Sequence, residues 1–340
     1  MPNTARTPYI MQNEQRTGPG AKAGNSHAIV VLPGVGGGRL VDAGLRRWLS
    51  RSSVRLASVP HEPLARIVEV LGLAYPHRGR AALRLWGHTG NRPATWIAGA
   101  DPVYLEPGLN HVHLHALIDA DVTTAELRRL FDHLQATLAD DAGLGFVRIG
   151  CHGYVTSNLP LATAAASAAE VNGQMPNEFM PSGDLAASYR NLRSEIEMAL
   201  HDHDVNQQRS VNGQPPVNSL WLWGGGVAPE QVRVSCPPLF ANDPLVRGFW
   251  HRISGRVESW TGTIGACLEA SEAGFVAMAP AADTDPRALE FCVVEIREAL
   301  LNGRLDRVTL LFADGLRADV RHSHRLRFWR REHAYFGVPT

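Results

Sequence analysis

Ala28-Ile29-Val30-Val31-Leu32 runs straight into Pro33-Gly34-Val35-Gly36-Gly37-Gly38, and an amphipathic helical pattern follows over Val41–Leu49. Five consecutive apolar residues closed by proline and glycine read as a buried strand, because a strand covered on both faces needs no polar alternation. Helical patterns recur at Leu64–Leu71 and Ala81–Trp86. Residues 111–117 then alternate, Val112, Leu114 and Ala116 on one side and His111, His113 and His115 on the other, which is strand periodicity with one buried face. Thr123-Thr124-Ala125-Glu126 spells a capping box and opens a helix to about Ala139, with Leu127, Leu130, Phe131, Leu134 and Leu138 on one stripe. Phe146–Ile149 reads as a strand, and the Ala-rich Leu161–Val171 stays ambiguous. One long helix is predicted from Ser182–Asp184 to His203, with Leu185, Leu192, Ile196 and Leu200 inward.

Ser219–Trp223 reads as a strand stopped by Gly224-Gly225-Gly226. Further strands are predicted at Val232–Ser235 and Phe275–Met278, and helices at Asp243–Ile253 and Arg287–Leu300. A hairpin joins Arg307–Phe312 to Leu316–Arg321 through a two-residue Asp314-Gly315 turn. Strands and helices interleave throughout, so the expected class is α/β or α+β, a mixed sheet with helices on its faces.

The 340 residues are 44% apolar and 19% charged, the balance of a globular chain. Residues 1–26 are polar and aperiodic and read as a disordered lead-in; 27–331 carry the folded region, read as two lobes of about 27–180 and 181–331, and 332–340 are a tail. Lys+Arg and Asp+Glu each number 33, so the whole-chain balance offers no basic field for nucleic acid or a membrane surface. Lys22 is the single lysine, which removes lysine chemistry from the folded region. No apolar stretch reaches the roughly 20 residues of a spanning helix, and no apolar core follows the polar start, so a cytoplasmic location is expected. The four cysteines, Cys151, Cys236, Cys267 and Cys292, form no CxxC pair and read as reduced thiols.

Three features could carry chemistry. The glycines at 34–38 follow a strand, where backbone amides meet phosphates, but Arg39 stands where a dinucleotide fingerprint needs its third glycine; a flexible turn is the expectation. His111, His113 and His115 share one strand face at spacings of roughly 6–7 Å, a row that could hold a divalent ion, although no carboxylate cluster completes a site. Residues 195–226 are the richest. Glu197 and His201 are four apart on a helix, and Asn206, Arg209 and Asn218 offer amide and guanidinium groups to an anionic or polyhydroxy ligand. The same residues could equally shape a turn, with the tryptophans filling a core.

The run His203-Asp204-Val205-Asn206, Arg209, Gly213-Gln214-Pro215-Pro216, Asn218 and Trp221-Leu222-Trp223-Gly224-Gly225-Gly226 resembles a segment of archaeal-type cofactor-independent phosphoglycerate mutases. It is similar also to a family of bacterial mutase-like proteins, some labelled regulatory. That family's further elements are matched by Ala100–Leu105, Glu195–Leu200 and Phe328–Arg331. The resemblance implies part of an alkaline-phosphatase-like fold, in which a serine nucleophile works with two divalent ions held by Asp and His. The chain departs from that pattern. The first strand ends in Pro33-Gly34-Val35 without a metal-binding aspartate, and after Gly226 the histidines are His251, His322, His324 and His333, none beside an aspartate.

What the resemblance and its departures imply is a mutase-like protein that binds a phosphorylated small molecule, as a ligand-binding or regulatory protein, without a cofactor. Its expected contacts are His203, Asn206, Arg209 and Asn218, with Trp221, Trp223 and Asp101. The alternative is a metal-dependent mutase or related phosphatase with a rearranged site, using manganese or magnesium on His111, His113 or His115 with Asp101. The tail, with Arg325, Arg327, Arg330 and Arg331 around Phe328 and Trp329, fits an oligomer interface or a solvated edge, and the oligomeric state stays open.

Overall fold

The computed structural model describes residues 26–36, 38–56, 62–109, 111–118, 121–140, 143–280 and 286–336. The expected lead-in, apart from Ser26, lies outside the described residues, as do 337–340 of the tail. In chain order the first elements are β1 (His27–Leu32), α1 (Ala43–Ser50), β2 (Ser53–Leu56), α2 (Pro63–Leu71) and α3 (Arg80–Thr89). Then come β3 (Trp96–Pro107), β4 (Val112–Ala116), α4 (Thr124–Leu138), β5 (Gly145–Ile149), β6 (His152–Ser157) and α5 (Ala168–Val171). The chain continues through α6 (Ala186–His201), α7 (Asp204–Val211), β7 (Ser219–Val227), β8 (Leu239–Phe240), α8 (Pro244–Arg252) and β9 (Val257–Glu258). It closes with α9 (Ile264–Ala270), β10 (Gly274–Met278), α10 (Pro286–Leu301), β11 (Arg307–Phe312) and β12 (Leu316–Arg321).

These strands build two sheets. The seven-stranded sheet has the order β2-β12-β11-β1-β10-β8-β9, with β1 parallel to both neighbours and β12 and β2 antiparallel at one edge. The second sheet, antiparallel throughout, uses only residues 96–227: β3 pairs β7 along one edge, and β6 and β4 share the other. The chain therefore begins one lobe, builds the other, and returns. The expected break near residue 180 falls inside the stretch that forms the second sheet.

Alternation along the strands produces five layers. Ala28, Val30 and Leu32 face a core with α1, α9 and α10, while Ile29 and Val31 face the space between the sheets. On the second sheet Trp221 and Trp223 join that shared core, and Leu220 and Leu222 pack outward with α4 and α6. The middle layer is made by α2, α3 and α8. Helices α3 and α8 touch backbone to backbone: a Cβ added to Gly87 would lie 1.8 Å from the Pro244 carbonyl oxygen, and one on Gly248 would lie 1.8 Å from that of Leu83. Only glycine permits this approach, and it fixes one helix from each side of the molecule at a single crossing.

Local chemistry explains most boundaries. The Thr123–Glu126 capping box forms as expected, and Asp42 and Asp243 cap α1 and α8 by accepting from Leu45 N and Val246 N. The predicted helix to His203 is instead two: α6 ends at His201, and the His203 Nδ1 accepts from Val205 N to start α7. Leu185 is exposed rather than inward. The Ser219 strand runs on through the glycines to Val227, bulging against β3. Val232–Ser235 is not a strand, because Val232 N and Val234 N donate to the Arg252 and Ile253 carbonyls at the end of α8. The final hairpin turns through three residues, Ala313–Gly315, with Gly315 alone at positive φ.

Candidate functional site

The largest structural surprise is β3, twelve residues long and the spine of the second sheet. Proline in a central strand is ordinarily excluded because it cannot donate to the ladder. The Pro102 carbonyl accepts from Leu117 N, so its nitrogen faces the same edge, at the gap where β6 pairing has ended at Gly99 and β4 pairing begins at Val103. That gap exposes Asp101 and Pro102 to a cleft of about 280 Å³ between the lobes.

Arg84 forms the inner wall of the cleft. Projecting from α3, it donates to Asp101 Oδ1 at 2.7 Å and to the Gly153 carbonyl at 2.8 Å. Trp223 Nε1 donates to the other Asp101 oxygen at 2.6 Å. The guanidinium lies between two rings, 4.7 Å from the Tyr154 centroid and 5.0 Å from that of Trp223. Burial alone would lower the Arg84 pKa; the Asp101 carboxylate together with the Tyr154 hydroxyl outweighs it and raises it, which keeps the guanidinium charged. One turn earlier, Arg80 pairs with Glu62 at 2.9 Å and with Glu170 at 3.5 Å, and stacks 5.2 Å from Trp223. Tyr75 donates to Glu62.

The outer wall holds groups able to exchange protons. Burial raises the Glu62 and Asp243 carboxyls above the usual carboxylate range. Both residues stand at the starts of nine-residue helices, α2 and α8, whose positive ends meet the cleft. The tight β5–β6 turn brings Cys151 and His152 to the same opening, with Cys151 Sγ 3.5 Å from His152 Nδ1. The His88 ring lies 4.8 Å from that of His152, tilted against it, and burial, then Arg84 and Arg247, lower the His88 pKa to about 4.

Of the residues expected from the sequence, Asp101 and Trp223 meet at this cleft and the others lie elsewhere. Asn206 is buried; its Nδ2 donates to the Leu200 and Val217 carbonyls, and its Oδ1 accepts from Val217 N. Arg209, 1% exposed, bonds the Pro215 and Asp121 carbonyls and Glu126. Asn218 bonds both backbone groups of Leu105, extending the β7 ladder by a side chain. His203 caps α7, and burial lowers its pKa. Trp221 is buried, donating to the Ala166 carbonyl. Three of the four polar groups thus hold together the turn between α7 and β7 and its neighbours.

The His111, His113, His115 row lies on β4 and the residue before it, with the His111 and His113 rings 4.7 Å apart and His115 Nε2 2.7 Å from Glu106. Among the described residues no three His, Cys, Asp or Glu side chains gather as a metal-ligand set. At the end of β1 the Val35 and Gly36 amides both donate to Asp314, at 2.7 and 2.8 Å, so that carboxylate is engaged in holding the glycine turn. The side chains present do not fit a pair of divalent ions there.

Arg80, Arg84, Glu62 and Asp243 escaped sequence reasoning. The one available signal was the i, i+4 arginine pair inside Arg80–Thr89, a helix whose apolar side it shares; both side chains are buried. None of the four cysteines forms a disulfide among the described residues, and no helix among them is long and apolar enough to cross a membrane.

No family profile matches the chain. A probable 2,3-bisphosphoglycerate-independent phosphoglycerate mutase of Geobacter sulfurreducens is 29% identical over 112 residues, 33% of this chain and 28% of the relative. The corresponding mutase of Methanosarcina barkeri is 27% identical over 111 residues, 32% of this chain and 28% of the relative. The matched stretch thus spans little more than a quarter of those relatives' length. Among solved structures, the PH0037 protein of Pyrococcus horikoshii shares the fold, with a TM-score of 0.52 over 87% of both chains at 12% identity. The chain is a mixed α/β protein distantly related, through about a third of its sequence, to cofactor-independent phosphoglycerate mutases.

Proposed function

We propose that this is a mutase-like small-molecule-binding protein, regulatory rather than catalytic, whose ligand seats in the interlobe cleft. The observation that supports this reading is the Arg84–Asp101 ion pair, clamped between Tyr154 and Trp223 and presented at the wall of a 280 Å³ opening. A buried ion pair is a poor source of stability compared with apolar packing, but it fixes charge at a defined place. Around it stand the ends of α2 and α8, which favour an anionic group, and the Glu62 and Asp243 carboxyls, which can hydrogen-bond hydroxyls. A phosphorylated or carboxylated hydroxy compound has this chemistry, and the distant likeness to phosphoglycerate mutases agrees with it.

Asp101 and Trp223 stay in the proposed site, joined by Arg84 and His152. His203, Asn206, Arg209, Asn218 and Trp221 are assigned to the frame. Phosphoryl transfer is not part of the proposal, because the side chains at the end of β1 do not supply a two-metal donor set.

Titration calorimetry with 3-phosphoglycerate and 2-phosphoglycerate is the test. Wild type is expected to bind one of them, and two variants at the cleft mouth, His152→Ala and Ile118→Trp, to bind at least about tenfold more weakly. Ile118 is half exposed, so the larger side chain fills the opening without entering a core. Absence of heat with both compounds, or equal binding by both variants, overturns the site. Interconversion of the two compounds by protein supplied with manganese would overturn the regulatory reading in favour of a mutase.

A further inference from the structure

The neutral whole-chain balance conceals a local asymmetry at the C-terminal end of the described chain. Residues 321–331 contain Arg321, Arg325, Arg327, Arg330 and Arg331, and none of these guanidiniums lies within ion-pairing distance of a carboxylate among the described residues. Elsewhere arginine is mostly spent on partners: Arg46, Arg55, Arg80, Arg84, Arg209 and Arg317 all meet acids. Interleaved with the five unpaired arginines are Leu326, Phe328 and Trp329, exposed by 63%, 77% and 67%. Side chains that open touch little of their own protein; they project.

The segment that bears them is nevertheless fixed. Arg330 Nη1 donates to the Ser52 carbonyl at 2.6 Å, His333 N donates to Ser50 Oγ, and Glu332 pairs with Arg46. Phe336 is buried in the core beneath, against Phe312. The buried His324 confirms that the charges converge: after burial, Arg327, Arg321 and Arg330 are what lower its pKa. An ordered platform therefore presents three apolar side chains ringed by cations.

We propose that this platform docks on an anionic lipid bilayer, with Phe328, Trp329 and Leu326 entering the interface and the arginines meeting phosphate-bearing headgroups. The charge decides against a second copy of the chain, since a symmetric contact would set ten unpaired guanidiniums face to face. The aliphatic Leu326 beside the aromatics decides for lipid over nucleic acid, because it has no π-face on which a base could stack. Aromatic and leucine side chains buried at the acyl boundary, with basic residues at headgroup level, are the chemistry of an interfacial anchor. The proposal is independent of the cleft.

Co-sedimentation of the full chain with vesicles tests it. Vesicles of phosphatidylcholine with about 30% phosphatidylserine are expected to bind the protein, and pure phosphatidylcholine to bind it at least about tenfold less. Phe328→Ser/Trp329→Ser and Arg325→Gln/Arg331→Gln are each expected to lower the partition coefficient about tenfold, the arginine pair alone weakening the salt dependence. All four side chains are exposed, so unchanged melting of both variants is expected and separates lost binding from lost fold. Equal partition into both vesicle types, no binding, or binding indifferent to both variants overturns the proposal. So does a dimer that these variants dissociate, or binding of a single-stranded oligonucleotide that they abolish while vesicle binding is absent.

Discussion

Asn206 shows how one residue type can point to two opposite jobs. Read in sequence, an asparagine between a helix and a Trp-rich strand offers an amide to a ligand. In the fold the same amide closes three hydrogen bonds to Leu200 and Val217 and has nothing left to offer. Asn206→Ala would leave the buried N–H and carbonyl of Val217 without this partner and take one donor from the Leu200 carbonyl, a loss of about 2–4 kcal/mol, measurable by urea unfolding; a change below experimental error would return Asn206 to the list of ligand contacts. His27 is the residue whose protonation is most openly tied to the fold. Its Nε2 lies 3.0 Å from Thr309 Oγ1, and because that hydroxyl donates to Asp319, the ring must donate to Thr309. Burial first, then the Arg307 charge, lower its pKa from 6.5 to about 4 against the pull of Asp319. The unfolded chain thus takes up the proton more readily, so the His27 contribution is complete above pH 6.5 and is lost as the pH falls towards 4. His27→Gln keeps a donor without the titration. Its stability should fall less than wild type over that window, by on the order of 1 kcal/mol given the ring's partial exposure; parallel stability curves for the two proteins would refute the assignment.

Elements that announce themselves by period or by cap were legible. The strand before Pro33, the capping box at Thr123, the Asp243-capped helix and the last hairpin each obey a local rule, and each is where the sequence places it within a residue or two. What stayed hidden was set by distance. β3 contains Gly99, Asp101 and Pro102, residue types that disfavour a strand, yet a gap in the pairing of its neighbours accommodates the proline and a tryptophan ring lies where a Gly99 side chain would be. Likewise β8 and β9 are two residues each and exist because a parallel neighbour receives them. The α3–α8 crossing was equally silent, since a glycine inside a helix looks only like a weak helix former. It is the contact on which the cleft depends: α3 carries Arg84, and the start of α8 supplies Asp243 and Val246. Gly248→Ala forces its methyl onto the Leu83 carbonyl and must part the helices. The expected cost is about 3 kcal/mol or more, read as a lower midpoint in urea, together with weaker ligand binding. An unshifted midpoint would mean that the helices do not touch as described.

At the scale of the whole molecule, the question is whether two sheets make two folding units. A chain that begins one lobe, completes another and returns invites that division, and sequence reasoning placed a boundary near residue 180. The cores argue otherwise. Ile29, Val31, Val276 and Leu311 from the seven-stranded sheet share one buried cluster with Ile97, Val103, Tyr154, Trp221 and Trp223 from the five-stranded sheet, through α2, α3 and α8. Neither sheet can lose that layer without exposing an entire face of the other, so a state with one lobe unfolded would leave a large apolar surface in water. The candidate site has the same dependence, because its wall is drawn from the five-stranded sheet and from α2, α3 and the start of α8 in the shared layer. We therefore expect a single unfolding transition in urea, with far-UV circular dichroism and tryptophan fluorescence superimposable, since tryptophans pack in or against the outer core of each sheet and in the layer between the sheets. Gly248→Ala, by loosening the α3–α8 crossing in the layer between the sheets, should be the substitution that pulls the two signals apart. Two resolved transitions in the unmodified protein would show that the lobes fold separately, and the interlobe cleft would then have to be treated as a hinge rather than as a fixed wall.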